Sequence, residues 1–217
     1  MTPLLCYVTD RHALPDPSRL SERIASAIAA GIDWIQIREK DLPTRKLLAV
    51  ARAAVKAAAA SPRANATRII VNDRLDAAVA AGAGGVHLGE ASLPVAAVNA
   101  WRREAVALKK LPREFLIGAS CHSLDAARAA ERDGADYIIF GPVFSTPGKE
   151  KFGAPQGIKR LAEVSITVKI PVLAIGGITE ENARECLNAG ASGVAAIRMF
   201  SSESDLAALI GRLRGGR

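Results

Sequence analysis

Aromatic side chains are scarce in this sequence of 217 residues, of which they make up 4%. Proteins that bind single-stranded nucleic acid stack bases on exposed aromatic rings, so this scarcity argues against that class. Apolar residues make up 49% and charged residues 24%, and such an apolar share is ample for a buried core. The sequence therefore predicts a globular protein rather than a disordered one.

Cysteines and long apolar runs are also few. Cys6, Cys121 and Cys186 lie far apart without a CxxC pair, which predicts neither a disulfide framework nor a zinc site and favours a reducing compartment. No apolar run approaches the ~18 residues that a membrane span needs. The first eleven residues reach charged side chains before a signal-peptide core forms. We expect a cytoplasmic protein with no membrane partner.

Basic residues outnumber acidic ones, 29 against 22, for a formal net charge of +7. This balance favours anionic partners, either phosphorylated metabolites or nucleic acid, unless it is simply a solvated basic surface. The basic stretch 101–110 has two interpretations, an exposed helix with its loop or a nucleic-acid-binding patch. We favour the helix and expect small phosphorylated substrates and no nucleic acid.

Eight short runs rich in Val, Ile and Leu have the near-continuous apolar pattern of parallel strands covered on both faces. We predict strands at residues 4–10, 34–40, 68–73, 85–89, 115–120, 137–143, 171–177 and 193–199. Helical patterns lie between them, and several end in glycine before the next strand; one pattern has Leu20, Ile24 and Ile28 four residues apart.

Strand and helix alternate eight times without a break in composition. Residues 1–217 are therefore predicted to form one domain of the α/β class, a (β/α)8 TIM barrel. The alternative is an open doubly wound sheet, which usually carries a GxGxxG motif after its first strand. Here that strand ends in Thr9-Asp10-Arg11 instead.

Active sites of such barrels lie at the C-terminal ends of the strands. The second predicted strand ends in Gln36, Arg38 and Lys40 at alternating positions, which period 2 places on one face. Two cations and an amide on one face are costly to bury without an anion, so they predict a phosphate or pyrophosphate clamp. In the alternative interpretation, Glu39 or a neighbouring aspartate pairs with the two cations.

The third predicted strand ends in Asn72-Asp73. A carboxylate at a strand end suits Mg²⁺, which often takes one or two carboxylates together with substrate oxygens. The same pair is also common in turns and helix caps. After the fifth strand, His122 follows Ser120-Cys121 and is either an acid, base or hydrogen-bond donor, or a structural residue. His87 on the fourth strand is predicted to be a satisfied interior residue.

The later loops carry a second candidate anion site. The loop after strand six runs through Thr146 to Lys149, and strand seven ends in Gly176-Gly177. Strand eight runs into Ile197-Arg198. The loops after strands seven and eight are where barrels commonly bind a phosphate through backbone N–H groups. Two anion sites and a Mg²⁺ ligand predict two phosphorylated substrates.

The motifs TD, QIREK, VNDR, GVHLG, IGASCHS, GADYIIFGPVFSTPGK, IPVLAIGGI and GVAAIRMF follow one another along essentially the whole chain. In this order they resemble the thiamine phosphate synthase family, which includes the related thiazole tautomerases. The resemblance implies a (β/α)8 barrel and a transferase that joins hydroxymethylpyrimidine pyrophosphate to thiazole phosphate. The reaction implied by the resemblance releases pyrophosphate with the help of Mg²⁺, in a dissociative step.

The resemblance also implies roles for individual residues. The pyrimidine pyrophosphate would be held by Gln36, Arg38, Lys40, Asn72 and Lys149, with Ser120 close by and Asp73 on Mg²⁺. The thiazole phosphate would lie against Thr146, Gly176 and Gly177. We also assign Ile197 and Arg198, which follow strand eight, to substrate binding. We assign the catalytic steps to Arg38, Lys40, Ser120, His122 and Lys149.

Three positions depart from the family pattern. Ser92 stands where the second Mg²⁺-binding aspartate is usual, with Glu90 nearby; Gly148 replaces a threonine; and Arg198 replaces a serine. The first departure keeps a metal-independent thiazole tautomerase open as an alternative, with His122 at the position of its catalytic histidine. A non-catalytic, phosphate-binding regulatory barrel is the third alternative. The sequence predicts no oligomeric state.

Overall fold

Eight parallel strands form a closed barrel in the order β1-β2-β3-β4-β5-β6-β7-β8. The computed structural model describes residues 2–62, 67–145 and 154–215. The strands are Leu4–Val8, Trp34–Ile37, Arg68–Asn72, Gly85–Leu88, Leu116–Cys121, Tyr137–Phe140, Val172–Ala174 and Gly193–Ala196. The predicted (β/α)8 barrel is thus confirmed, and the open doubly wound alternative is wrong.

The helices between the strands are α1 (Leu20–Ala30), α2 (Thr44–Ala59), α3 (Leu75–Ala81), α4 (Val95–Ala107), α5 (Leu124–Asp133), α6 (Gly157–Thr167) and α7 (Glu180–Asn188). After β8 follow α8 (Arg198–Ser202) and α9 (Leu206–Leu213). Two short 3-10 helices, Arg11–Ala13 and Pro17–Arg19, lie between β1 and α1. No helix in the described ranges has the length and apolar character required to cross a membrane.

The chain clusters into two compact units. The first unit comprises Met1–Val86 and Ala196–Arg217, and the second comprises His87–Ala195. That residues 1–217 act as one domain stays a prediction. In the first unit the spacing of Leu20, Ile24 and Ile28 does bury one face of α1, as predicted.

A recurring Gly-x-Asp-aromatic-Ile sequence starts one strand in each unit. In the first unit, the carboxylate of Asp33 accepts the backbone N–H of Leu5 at 2.9 Å and a guanidinium N–H of Arg214 at 2.8 Å. In the second, the carboxylate of Asp136 accepts the backbone N–H of Ile117 at 2.6 Å and an N–H of Arg102. Each aspartate thereby joins two neighbouring strands of its unit to a helix.

Arg102 shows what part of the basic stretch 101–110 does in the fold, while the absence of nucleic-acid binding stays a prediction. Its guanidinium donates to the backbone oxygen of Phe115 at 3.1 Å and to the side chain of Asn99 at 2.9 Å, in addition to Asp136. Arg102 lies within α4, which continues to Ala107, and not in a loop. The predicted exposed helix is confirmed, and one of its cations is structural.

Several strands end earlier than their apolar patterns indicate. The strand predicted for 34–40 stops at Ile37, because the N–H of Arg38 turns to the hydroxyl oxygen of Thr9 at 3.0 Å. The N–H of Leu42 then bonds the oxygen of Glu39 and closes a turn. The alternation inferred through Lys40 is therefore wrong beyond the strand.

The strand predicted for 193–199 also ends early, at Ala196, because the chain turns into α8 at Arg198. The sequence Ser-Glu-Ser-Asp at 202–205 predicts a helix start at its serine, but Ser202 is the last residue of α8 and Asp205 caps α9 instead. The sequence Thr-Glu-Glu-Asn at 179–182 predicts another helix start, which is confirmed as a reciprocal capping box between Thr179 and Asn182.

Candidate anion-binding site

The ends of β2 and β3 place the first candidate clamp in the first unit. The strands are parallel neighbours in which Gln36 pairs with Ile70 and Ile37 with Val71. Arg38 therefore leaves β2 beside the end of β3, at Asn72. Gln36 is buried, with 3% of its surface exposed, whereas Arg38 is half-buried and Lys40 is exposed.

The carboxylates next to these cations in sequence do not pair with them. Glu39 accepts from a guanidinium nitrogen of Arg11 at 3.2 Å, and Asp41 binds the same guanidinium through both oxygens at 2.5 and 2.6 Å. Hydrogen bonds from Arg11, and then from His12, hold the pKa of the Asp41 carboxyl well below its usual range. Within the described ranges, no side chain pairs with Arg38 or Lys40, so the alternative pairing is wrong and both cations are available to an anion.

Two buried polar atoms of the β2 end lack a hydrogen-bond partner among the described residues. They are the amide nitrogen Nε2 of Gln36 and the carboxylate oxygen Oε1 of Glu39. A buried polar atom without a partner costs about 1–3 kcal/mol, so native proteins rarely leave one unexplained. A bound molecule that accepts from Gln36 would recover that cost.

Asp73, the predicted Mg²⁺ ligand, directly follows β3 with a left-handed backbone, at φ 66°. Aspartate tolerates this region better than most residues, and such conformations cluster at functional sites. The turn is closed by bonds from Arg74 N to Asn72 O, at 2.7 Å, and from Leu75 N to Asp73 O, at 3.1 Å. The side chain of Asp73 is exposed at the end of β3. The described residues contain no cluster of three or more His, Cys, Asp or Glu that could hold a metal. That Asp73 binds Mg²⁺ stays a prediction.

The second unit holds a buried chain of polar side chains across β4, β5 and β6. His87 is 2% exposed, and its Nε2 lies 2.9 Å from the hydroxyl oxygen of Ser120. Its Nδ1 lies 3.2 Å from the hydroxyl of Tyr137. The tyrosine ring occupies the space beside Gly118, where a Cβ atom would lie 2.1 Å from it. His87 is the satisfied interior residue that we predicted, and it orients the Ser120 hydroxyl.

His122 lies just beyond β5 with an exposed ring. Its Nδ1 faces the backbone oxygen of Gly141, which can only accept, so Nδ1 carries the hydrogen. The other nitrogen, Nε2, lies 3.8 Å from a carboxylate oxygen of Glu90. Burial, followed by the charge of Glu90, raises the pKa of the neighbouring Cys121 thiol to about 12. The imidazole thus has Nδ1 engaged by a backbone oxygen and Nε2 directed at a carboxylate.

Ser92 closes a turn after β4. Its hydroxyl oxygen accepts the N–H of Gly89 at 2.8 Å, and its own N–H donates to the oxygen of Gly89 at 3.1 Å. A single hydroxyl oxygen is occupied in this way. An aspartate at the same position would have a second oxygen left for a metal.

The Gly176-Gly177 loop follows β7 in the second unit, with φ angles of 96° and 63°. A Cβ atom on Gly176 would lie 2.5 Å from Cα of Pro142, and one on Gly177 would lie 2.5 Å from the backbone oxygen of Ser145. Both positions therefore require glycine. The amide N–H groups of the two glycines have no acceptor within the part of the chain that the structure describes. They are suitably placed donors for an anion in the loop before α7.

The remaining predicted residues are placed as follows. Ile197 and Arg198 belong to the first unit, where Arg198 is the exposed first residue of α8. Thr146, Gly148 and Lys149 lie outside the described residues. Sequence reasoning missed Arg11 and Tyr137; their signals were a charge just after the first predicted strand and a hydroxyl at the start of the sixth.

A closed (β/α)8 barrel with cations at one strand end and glycine amides at another has the arrangement typical of phosphate-binding barrels. The family model of thiamine monophosphate synthase matches residues 5–200. The chain belongs to this family.

Individual relatives agree with that assignment. The chain is 44% identical to the thiamine-phosphate synthase of Methanoculleus marisnigri over 188 residues, which cover 87% of this chain and 83% of the relative. It is 42% identical to the thiamine-phosphate synthase of Moorella thermoacetica over 193 residues, covering 89% and 86%. Among solved structures, thiamine phosphate pyrophosphorylase from Pyrococcus furiosus matches with a TM-score of 0.79 at 30% identity, covering 99% of this chain and 98% of that one.

Proposed function

We propose that this protein is a thiamine-phosphate synthase, a transferase that joins hydroxymethylpyrimidine pyrophosphate to thiazole phosphate. The C–O bond between the pyrimidine methylene and pyrophosphate breaks, and its electron pair leaves with pyrophosphate. The lone pair of the thiazole nitrogen then forms the new C–N bond. Family membership supports the activity, and the observation that carries it is that Arg38 and Lys40 pair with no side chain among the described residues.

Residues of the first unit bind the pyrophosphate in this proposal. As the C–O bond breaks, negative charge grows on the leaving group, and fixed cations stabilise that charge more than they stabilise the bound substrate. Arg38, with its forked guanidinium, fits two phosphate oxygens, and Lys40 adds a point charge. Gln36 and Asn72 add amide donors beside them, and the unpartnered Nε2 of Gln36 supports a bound acceptor there.

A Mg²⁺ ion fits this site with a single protein carboxylate, that of Asp73. The ion requires six oxygens but often takes only one or two carboxylates, with substrate phosphates and waters completing its shell. When bound, Mg²⁺ would supply positive charge against the pyrophosphate oxygens. Ser92 contributes no carboxylate, and its hydroxyl oxygen already accepts from Gly89. We therefore infer that substrate helps to assemble the metal site.

The second unit supplies hydroxyl and amide donors. By resemblance to the family, Ser120, which lies 2.9 Å from His87, is assigned to the pyrophosphate, and the amides of Gly176 and Gly177 are assigned to the phosphate of the thiazole. By resemblance to the family, Lys149 joins the pyrophosphate side and Thr146 the thiazole side. Ile197 and Arg198 complete the thiazole-phosphate set, with Arg198 contributing a charge in place of the usual serine.

A thiazole tautomerase is a second candidate, and His122 favours it. With its Nδ1 hydrogen directed at Gly141, the ring has Nε2 facing Glu90, an arrangement suited to moving a proton. This activity would require no metal and would leave the unpaired Arg38 and Lys40 unexplained. We further propose that the chain acts as one domain in the cytoplasm, in keeping with its three free, buried cysteines.

The deciding experiment offers both substrates with and without Mg²⁺ and follows thiamine phosphate by fluorescence after oxidation. A synthase forms the product only with Mg²⁺. Thiazole isomerisation that is insensitive to EDTA, with no thiamine phosphate at any Mg²⁺ concentration, would establish the tautomerase instead. Thermal stabilisation by both ligands without turnover would establish a regulatory barrel.

A further inference from the structure

The β2 end alternates charges of opposite sign, in the order Arg38, Glu39, Lys40, Asp41. Left to themselves, carboxylates so close to two cations would compete with any phosphate for them. The structure shows both carboxylates bound to Arg11 instead, a residue 28 and 30 positions earlier in the chain.

Arg11 is held firmly enough to do this. Its backbone N–H donates to Oε2 of Glu39 at 3.1 Å, and Nη1 reaches the same oxygen at 3.2 Å. Nη1 and Nη2 each donate to one carboxylate oxygen of Asp41, at 2.5 and 2.6 Å, which makes the pair bidentate. The short helix that begins at Arg11 is capped by Asp10, whose carboxylate accepts the N–H of His12. Only 20% of the Arg11 side chain is exposed.

The ends of β1 and β2 are themselves bonded, which brings Arg11 to this place. Thr9 donates its N–H to the oxygen of Gln36 at 2.9 Å and accepts the N–H of Arg38 at 3.0 Å. Glu39 is almost wholly buried, with 1% of its side chain exposed, so its charge requires a cation. If Arg11 did not supply it, the nearest cations along the chain would be Arg38 and Lys40.

We propose that Arg11 is a positioning residue of the pyrophosphate site: it takes up Glu39 and Asp41, so that Arg38 and Lys40 stay available to the anion. The identity of the anion rests on the proposed function. The role of Arg11 itself is a redistribution of charge, without contact to the reacting atoms.

Binding of inorganic pyrophosphate, measured by calorimetry, tests the proposal together with the KM for the pyrimidine substrate. Arg11→Gln should weaken pyrophosphate binding at least about fivefold, because a competing ion pair near the surface is worth about that factor and a partly buried one more. Adding Glu39→Gln and Asp41→Asn to that variant removes the competitors, so binding should return to within about twofold of wild type. A purely structural role predicts no such rescue.

Arg19→Gln is the matched control, since it removes one positive charge from an exposed pair with Glu22 in the same unit. It should leave pyrophosphate binding unchanged. If Arg11→Gln does not fold, Arg11→Lys keeps the charge but loses the bidentate geometry, and it should bind pyrophosphate more weakly than wild type.

The outcomes separate the two proposals. Wild-type binding by Arg11→Gln, or by Arg11→Lys where the first does not fold, overturns the role of Arg11, as does a triple variant that stays as weak as Arg11→Gln. A wild-type protein that binds pyrophosphate in an Arg11-dependent manner but forms no thiamine phosphate supports the role of Arg11 and overturns the proposed synthase.

Discussion

Arg38→Ala removes the half-buried cation of the candidate clamp and makes a sharp test of it. The side chain has no ion-pair or hydrogen-bond partner within the described ranges, so its loss breaks no polar contact of the fold. We expect the free energy of unfolding to change by less than about 0.5 kcal/mol, as for a surface substitution without such contacts. Any loss of turnover would then come from weaker binding or weaker stabilisation of the anion.

The size of that effect follows from the position of the charge. Removing one donor to charge that develops in a transition state typically costs about 10²–10³ in rate, or about 2.7–4 kcal/mol. Arg38 is half-buried and should reach this range. Lys40 is exposed, so solvent and salt screen its charge, and Lys40→Ala should cost about tenfold or less.

The assay is steady-state formation of thiamine phosphate at saturating Mg²⁺, with thermal denaturation of each variant alongside. Arg38→Lys is the control, because it keeps the charge but loses the fork, and it should fall between wild type and Arg38→Ala. If Arg38→Ala and Lys40→Ala both keep turnover within twofold, the clamp assignment is wrong. A large loss of thermal stability in Arg38→Ala would show that the guanidinium serves the fold instead.

Three further predictions address the metal, the phosphate loop and the thiols. Asp73→Asn should keep the left-handed turn, since asparagine tolerates it, but should nearly abolish turnover. Ser92→Asp should lower the Mg²⁺ concentration that gives the half-maximal rate. Equal Mg²⁺ titrations of wild type and the two variants would contradict both expectations. Gly176→Ala should lower the free energy of unfolding by at least ~1–2 kcal/mol, from its positive φ and the overlap with Pro142, and an unchanged melting temperature would refute it. Because burial raises the pKa of Cys121 from 9.0 to about 12, its thiol should resist Ellman's reagent at pH 8 until the protein unfolds. The neutral thiol's contribution to the free energy of unfolding should be complete below pH 9 and should be lost as the pH rises from 9 to about 12.

The repeated pattern of the chain was sufficient to predict the fold. Eight apolar runs separated by helical patterns permit few arrangements, because parallel strands need a crossover helix and consecutive crossovers have one hand. Local signals such as the Thr179 capping box were equally legible, since every contact in them lies within four residues. The strand-end motif residues could be singled out as candidates from the sequence, because barrels of this kind have their active sites at the C-terminal ends of the strands. Their roles stay predictions.

Tertiary structure decided how the charges pair. Sequence proximity made Glu39 a natural partner for Arg38, but a carboxylate binds the cation that the fold brings to it, and β1 brings Arg11. The strand end at Ile37 was similarly settled by Thr9, whose hydroxyl takes the N–H that a continuing ladder would have used. Hydrogen bonds and ion pairs act over a few ångströms of space regardless of chain separation, so a sequence names the groups that can pair and only the folded chain selects the pairs.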